Sequence, residues 1–205
     1  MMFLNESLTI TNPGFEAPVT GTLDPAKIQV TNYKLKPGEW INYNIPGWES
    51  DTQRVGVFNP TKAQFAGQVI EGNNFAYNNE GTISQILPYR IIKGYTYVLL
   101  TDVMFRSNLS NFLGGKIQLW ADSLLLGEQD IPLMVPGQKV TIMTPPYVAV
   151  ADGGNIEIRL ISNGIQMNFD NIEVLAEPSS VEETKIPWYL PVGIGAFILI
   201  MLLRR

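Results

Sequence analysis

The chain has no histidine and no cysteine. It therefore cannot build a Ser-His-Asp or Cys-His nucleophilic site, a zinc site of thiolate or imidazole ligands, a histidine-ligated haem or a disulfide framework. Charge is scarce as well: Asp, Glu, Lys and Arg make up 16% of 205 residues, with a formal net charge of -5. An acidic chain lacks the basic face that replaces counterions along a phosphate backbone, so no nucleic-acid partner is expected. Of the common catalytic groups, carboxylates, lysines and tyrosines remain. A glycosidase-like pair drawn from Asp51, Asp102, Asp122 and Asp170 is the enzyme reading left open, and no spacing pairs them. The composition predicts binding or structure, not an enzyme.

Hydrophobic residues, at 45%, suffice for a sizeable core, and the length suits one domain. Their pattern is that of strands. Ile156 to Leu160, Lys116 to Trp120 and Lys139 to Met143 alternate apolar with polar, as strands with one buried face do. Tyr95 to Phe105 is more continuously apolar and reads as a central strand covered on both sides. Turn signals punctuate these runs: Pro37-Gly38, Pro46-Gly47, Gly114-Gly115, Pro136-Gly137, Asp152-Gly153-Gly154 and Asn163-Gly164. The expected fold is an all-β jelly-roll β-sandwich over residues 1–176.

The C-terminal region differs. Residues 177–185 are polar and acidic and read as a linker, and residues 186–203 contain no charge. As a helix those residues cover about 27 Å, close to a bilayer's hydrocarbon thickness of about 30 Å. Trp188 and Tyr189 suit one interface, and Arg204 and Arg205 form a basic tail (204–205) at the other. A single C-terminal transmembrane helix is expected, with the membrane as a partner. The first residues, Met1 to Ser7, have neither a basic stretch nor an apolar one, so no signal peptide is visible.

Several short motifs occur in order: Asn12-Pro13-Gly14-Phe15-Glu16, Ile45-Pro46-Gly47-Trp48, Val57-Phe58-Asn59-Pro60, Gly72 to Tyr77, Gly81 to Gln85, Gly94 to Tyr97 and Asn168 to Ile172. This series resembles the galactose-binding-like jelly rolls of PEP-CTERM (exosortase-sorted) extracellular proteins, and is similar to carbohydrate-binding modules. The resemblance spans residues 8 to 175. In place of that type's Pro-Glu-Pro the chain has Ala176-Glu177-Pro178, which favours a retained anchor over a cleaved one. The resemblance also implies a structural calcium ion near the meeting of the first and last strands, with Glu16 and Asp170 as ligands and Asn12 beside them. Calcium takes several hard oxygen ligands. The alternative is that Glu16 and Asp170 cap turns.

Sugar recognition needs aromatic faces and planar polar groups. Trp48, Tyr77 and Trp120, with Arg106, are the candidate ligand-binding residues; Trp40 and Asn108 extend the set. Each aromatic has a core role as its alternative, and Arg106 could pair with Asp102 or Glu128. The expectation is a non-catalytic, membrane-anchored protein exposed on a cell or virion surface, binding a glycan or surface polymer. The alternative is a structural subunit of a membrane-containing virion or surface appendage, with homo-oligomer or lattice partners.

Overall fold

The structure, a computed structural model, describes residues 6–65, 72–164 and 166–179. Its strands are β1 (Glu6–Ser7), β2 (Val19–Asp24), β3 (Ile28–Tyr33), β4 (Trp40–Asn42), β5 (Glu49–Ser50) and β6 (Val55–Phe58), followed by a 3-10 turn over Lys62–Phe65. Then come β7 (Phe75–Asn78), β8 (Gly81–Arg90), β9 (Tyr95–Phe105), β10 (Gly115–Ala121), β11 (Leu124–Asp130), β12 (Lys139–Met143), β13 (Tyr147–Val148), β14 (Asn155–Ser162) and β15 (Met167–Pro178). They form two sheets. The larger runs β12-β9-β15-β7-β6-β4-β2-β3, with β1 added to β15 and β13 to β9; the smaller runs β11-β10-β14-β8-β5.

The all-β expectation holds, and the run Tyr95 to Phe105 is β9, bonded on one side to β12 and β13 and on the other to β15. Alternation sends Leu99, Val103 and Phe105 of β9, Ile117 and Leu119 of β10, and Ile156, Ile158 and Leu160 of β14 into one core between the sheets. Glycines mark the turns where a left-handed backbone is required. Gly47 has φ +84, and a Cβ there would lie 2.6 Å from Thr11 Cγ2, so the loop that delivers Trp48 to the core closes only without a side chain.

The expected transmembrane helix at 186–203 lies outside the described residues, as does most of the 177–185 linker. Among the described residues no helix is long and apolar enough to cross a membrane.

One departure from simple alternation positions the site. On β6 and β7 every residue is buried, so both faces of the larger sheet are covered there. Val55, Val57 and Ala76 face the main core, whereas Phe58, Phe75, Tyr77 and Met104 form a second apolar cluster with Trp40 packed against it. This cluster occupies the face that the larger sheet turns away from its partner.

Candidate active site

The second cluster floors a cleft of about 330 Å³. Trp40 and Asn42 of β4, Phe58 of β6 and Tyr77 of β7 supply one side, and Gln64, Arg106 and Gln166 the other, with Asn79 also lining it. Hydrogen bonds hold the far wall: Ser107 donates its backbone N–H (3.3 Å) and its hydroxyl (2.7 Å) to the carbonyl of Gln64. The aromatic floor interlocks edge to face, with Phe58 and Phe75 centroids 5.4 Å apart and Trp40 and Phe58 6.1 Å apart.

Gly56 makes room for Tyr77. A Cβ at residue 56 would fall 1.9 Å from the Ile41 carbonyl oxygen and 2.7 Å from the Tyr77 hydroxyl, so the phenol lies across the strand where a side chain would otherwise stand. The Tyr77 hydroxyl contacts Asn42 Oδ1 and the Ile41 carbonyl oxygen (3.2 Å). Asn42 in turn donates Nδ2–H to Asp24 Oδ2 at 2.5 Å, and Lys27 pairs with the other Asp24 oxygen. Burial raises the Tyr77 pKa well above its ordinary value, and the Asp24 charge adds to it. The phenol is therefore a neutral hydrogen-bonding group at physiological pH.

Arg106, at the end of β9, is half-buried. Its guanidinium carbon lies 5.4 Å from the Phe58 ring centroid, and Nη1 donates to Gln166 Oε1 at 2.9 Å. Burial lowers its pKa from the ordinary value. The pairings suggested by sequence do not form: Asp102 takes Lys139 at 2.7 Å, and Glu128 takes Lys116 at 3.0 Å. Burial works to raise the Asp102 carboxyl, but bonds from Lys139, Thr141 and Asn171 outweigh it and hold its pKa below the ordinary value. Among the described residues lining the cleft there is no aspartate or glutamate.

The structure brings Tyr77 and Arg106 together and separates both from the other two candidates. Trp48 is a core residue at 8% exposure, its ring 5.4 Å from Phe15, its indole N–H donating to the Asn12 carbonyl at 3.2 Å. Trp120 lies on the opposite sheet under Arg159, whose guanidinium carbon is 4.5 Å from the ring centroid. Phe58, Asn42, Gln64, Asn79 and Gln166 escaped the sequence reading. Phe58 and Tyr77 lie on separate strands that are buried throughout, so no alternation marks their shared face; the pairing of β4, β6 and β7 sets them beside Trp40.

A second cleft, of about 570 Å³, lies by the N-terminal loop, lined in part by Gly14, Glu16, Gly72 and Asn171. Glu16 Oε1 accepts the backbone N–H groups of Asn73 (2.6 Å) and Asn74 (2.7 Å), and a Cβ on Gly72 would strike that carboxylate at 2.3 Å. Asp170 is fully buried; Oδ1 accepts the Asn171 N–H, and Oδ2 has no partner. Burial pushes its pKa up to about 8. The Asn171 N–H and Lys139 work against that rise, and the Asp102 and Glu16 charges add to it. Asn12 spends its side chain tying two loops together, donating to the Pro46 carbonyl between β4 and β5 and accepting from the Ala17 N–H. Asn74, beside Glu16, has a buried, unpartnered Oδ1. Among the described residues no group of three or more His, Cys, Asp or Glu side chains is placed to hold a metal.

A family model described as HpiC1-like, HpiC1 cyclase, matches residues 6–175. The chain belongs to the HpiC1-like family. Among solved structures, the Stig cyclase Fisc from Fischerella sp. TAU, in complex with (3Z)-3-(1-methyl-2-pyrrolidinylidene)-3H-indole, aligns with TM-score 0.64 and 22% identity over 86% of this chain and 100% of that one. Another cyclase structure from Fischerella sp. TAU aligns with TM-score 0.67 and 21% identity, over 86% and 99% of the two chains. A carbohydrate-binding module of family CBM4 aligns at TM-score 0.44 and 16% identity, over 81% of this chain and 98% of that one. A search of curated proteins finds no match.

The family corrects several expectations. The non-catalytic reading gives way, because the family is that of a cyclase. The missing histidine and cysteine exclude nucleophilic triads, but ring closure needs orientation and hydrogen-bond donors more than a nucleophile. The readings as a carbohydrate-binding surface protein, a virion subunit or a membrane-anchored display protein give way with it. The carbohydrate-binding reading rested on the resemblance to sorted extracellular proteins, which the family match does not support, and the membrane anchor on the uncharged run 186–203, outside the described residues; the β-sandwich is the part of the resemblance that stands.

Proposed function

We propose that this protein is a ring-closing enzyme whose substrate lays a flat aromatic ring system over Phe58 and Trp40 in the cleft, with the Tyr77 hydroxyl and Arg106 at the polar end. One observation carries the reading: within the span matched to the cyclase family, an aromatic floor and two polar groups converge on one cleft. The indole ligand of Fisc is of the size and flatness that such a floor accepts. Intramolecular ring closure is slow chiefly because a flexible substrate seldom presents its ends to each other; a rigid apolar wall that fixes one end raises their effective concentration. Donors at the other end stabilise charge as it develops. Tyr77, kept neutral by burial, donates its one proton to the Asn42 Oδ1 and Ile41 carbonyl oxygens and so offers the substrate a hydroxyl lone pair, while Arg106 is the charged donor; Asn42 links Tyr77 to Asp24.

The test is calorimetric titration of the full chain with 4-(1H-indol-3-yl)butan-2-one, a compound held in a Fischerella cyclase structure. Saturable one-site binding is expected, weakened about tenfold or more by Trp40→Ala, because base-sized aromatic contacts are worth roughly 1–3 kcal/mol. Absence of binding by this and simpler indoles would remove the reading.

In this reading calcium has a structural part. The surroundings of Glu16, which lines the second cleft, fit a hard cation: Asp170 Oδ2 and Asn74 Oδ1 are buried oxygens without partners, and the Glu16 carboxylate lies close enough to raise the Asp170 pKa. Glu16 and Asp170 would hold the ion, with Asn74 and backbone carbonyls completing its oxygen shell. It would clip the N-terminal loop to β15 and take no part in the ring closure.

A further inference from the structure

We propose that the ligand of the cleft carries a carboxylate on its aromatic framework and that Arg106 seats it, an inference that rests on reading the cleft as the cyclase site. The basis is an unbalanced charge. Lys27, Arg54, Lys116, Lys139 and Arg159 each meet a carboxylate within 4.0 Å; of the described cations outside those pairs, Lys34, Lys36, Lys62, Arg90 and Lys93 are exposed to solvent, and Arg106 is the half-buried one. Its hydrogen-bond partner is the neutral Gln166, and its Nε is sealed from solvent without an acceptor. The side open to a counter-ion is therefore that of the terminal nitrogens, at the cleft.

A guanidinium stays charged when half-buried, and burying a cation without its counter-ion is costly. The Phe58 ring beneath it offsets part of that cost and fixes the plane of the group. What the protein leaves out, a ligand supplies. A single carboxylate matches a guanidinium in charge and planarity, and two parallel N–H···O bonds fix its orientation. A phosphate dianion would need a second cation, and among the described lining residues Arg106 is the only one. The same bonds would hold the ligand's ring at a set distance along the Trp40–Phe58 floor.

The test compares indole-3-acetate with indole-3-acetamide, equal in shape and different in charge, by calorimetry on the full chain. The acetate is expected to bind about tenfold tighter or more, with the advantage shrinking as salt is raised. Arg106→Gln should erase the difference, the acetate losing about tenfold or more, and Arg106→Lys should restore part of it. A thermal melt identifies any variant that does not fold, in which case the salt dependence and Arg106→Lys decide. Equal binding of acid and amide by the folded protein overturns the carboxylate subsite and leaves the aromatic cleft standing. If neither indole binds, the aromatic reading fails, and sodium hexanoate tests the subsite alone. A shift of the Arg106 side-chain N–H resonance on adding hexanoate upholds it, and no shift overturns it.

Discussion

Each sheet turns one face away from the shared core, and each of those faces carries a tryptophan and an arginine, yet the two are completed differently. On the smaller sheet Arg159 lies over Trp120 and makes two 2.8 Å bonds to Glu157; Trp120 donates to Gln118, Gln118 to Glu128, and Glu128 meets Lys116. Each charge in this chain of contacts has its answer within the sheet, and the tryptophan's face is taken. On the larger sheet Arg106 faces an aromatic floor with no acid beside it, and a cleft remains. The same residue types make a finished surface in one place and an incomplete one in the other. Incompleteness marks the site.

The comparison breaks most forcefully at Gly56. Gly56→Val drives a side chain into the Ile41 carbonyl and the Tyr77 ring, so a loss of several kcal/mol is expected, at or beyond the upper range of overpacking. Urea unfolding measures it; a loss under about 1 kcal/mol would mean that the larger sheet's outer face is not closely packed.

Next comes the pH response of the buried carboxyl. Burial holds a proton on Asp170 up to about pH 8 in the folded chain, while in the unfolded chain it returns to the ordinary aspartate value of about 4. The stability linked to that proton is therefore fully present below about pH 4 and is lost as pH rises through 8. In chelator, the urea midpoint of the wild type should fall relative to that of Asp170→Asn between pH 5 and pH 9. Added calcium, competing with the proton for the same oxygens, should raise the wild-type midpoint at high pH and leave the variant unmoved. Parallel profiles for the two proteins, with no response to calcium, would remove both the buried proton and the ion.

The smallest effect belongs to the finished face. Arg159→Gln removes a partly exposed pair and should cost about 1 kcal/mol or less, with indole affinity unchanged. A change in affinity comparable to that of Arg106→Gln would erase the distinction between the two faces.

Much of the scaffold was legible in the residues. Residues 139–143 and 95–105 appear as β12 and β9 with those bounds, because alternation and continuous apolarity are direct consequences of the pleat. The site was legible only in part. Tyr77 and Arg106 stood among the candidates, but Trp48 stood beside them with equal claim, and only the Phe15 contact and the Asn12 bond reveal it as core. The isolation of Arg106 was hidden for a related reason. Asp102 is four residues away in sequence, yet it lies opposite Thr141 across the strand pair and is drawn to Lys139. Charge pairing in a sheet follows register across strands, which local sequence does not encode.

The place of β15 has a consequence for how the site comes into being. The larger sheet consists of two ribbons, β12-β9 and β7-β6-β4-β2-β3, whose strands are joined in the sheet through β15. Arg106 follows the first ribbon; Trp40, Asn42, Phe58 and Tyr77 belong to the second; Gln166, which holds Arg106, comes just before the joining strand. During synthesis both halves can be present with nothing between them. The cleft is thus a seam that closes when a late strand docks, so formation of the cleft and completion of the fold become a single event.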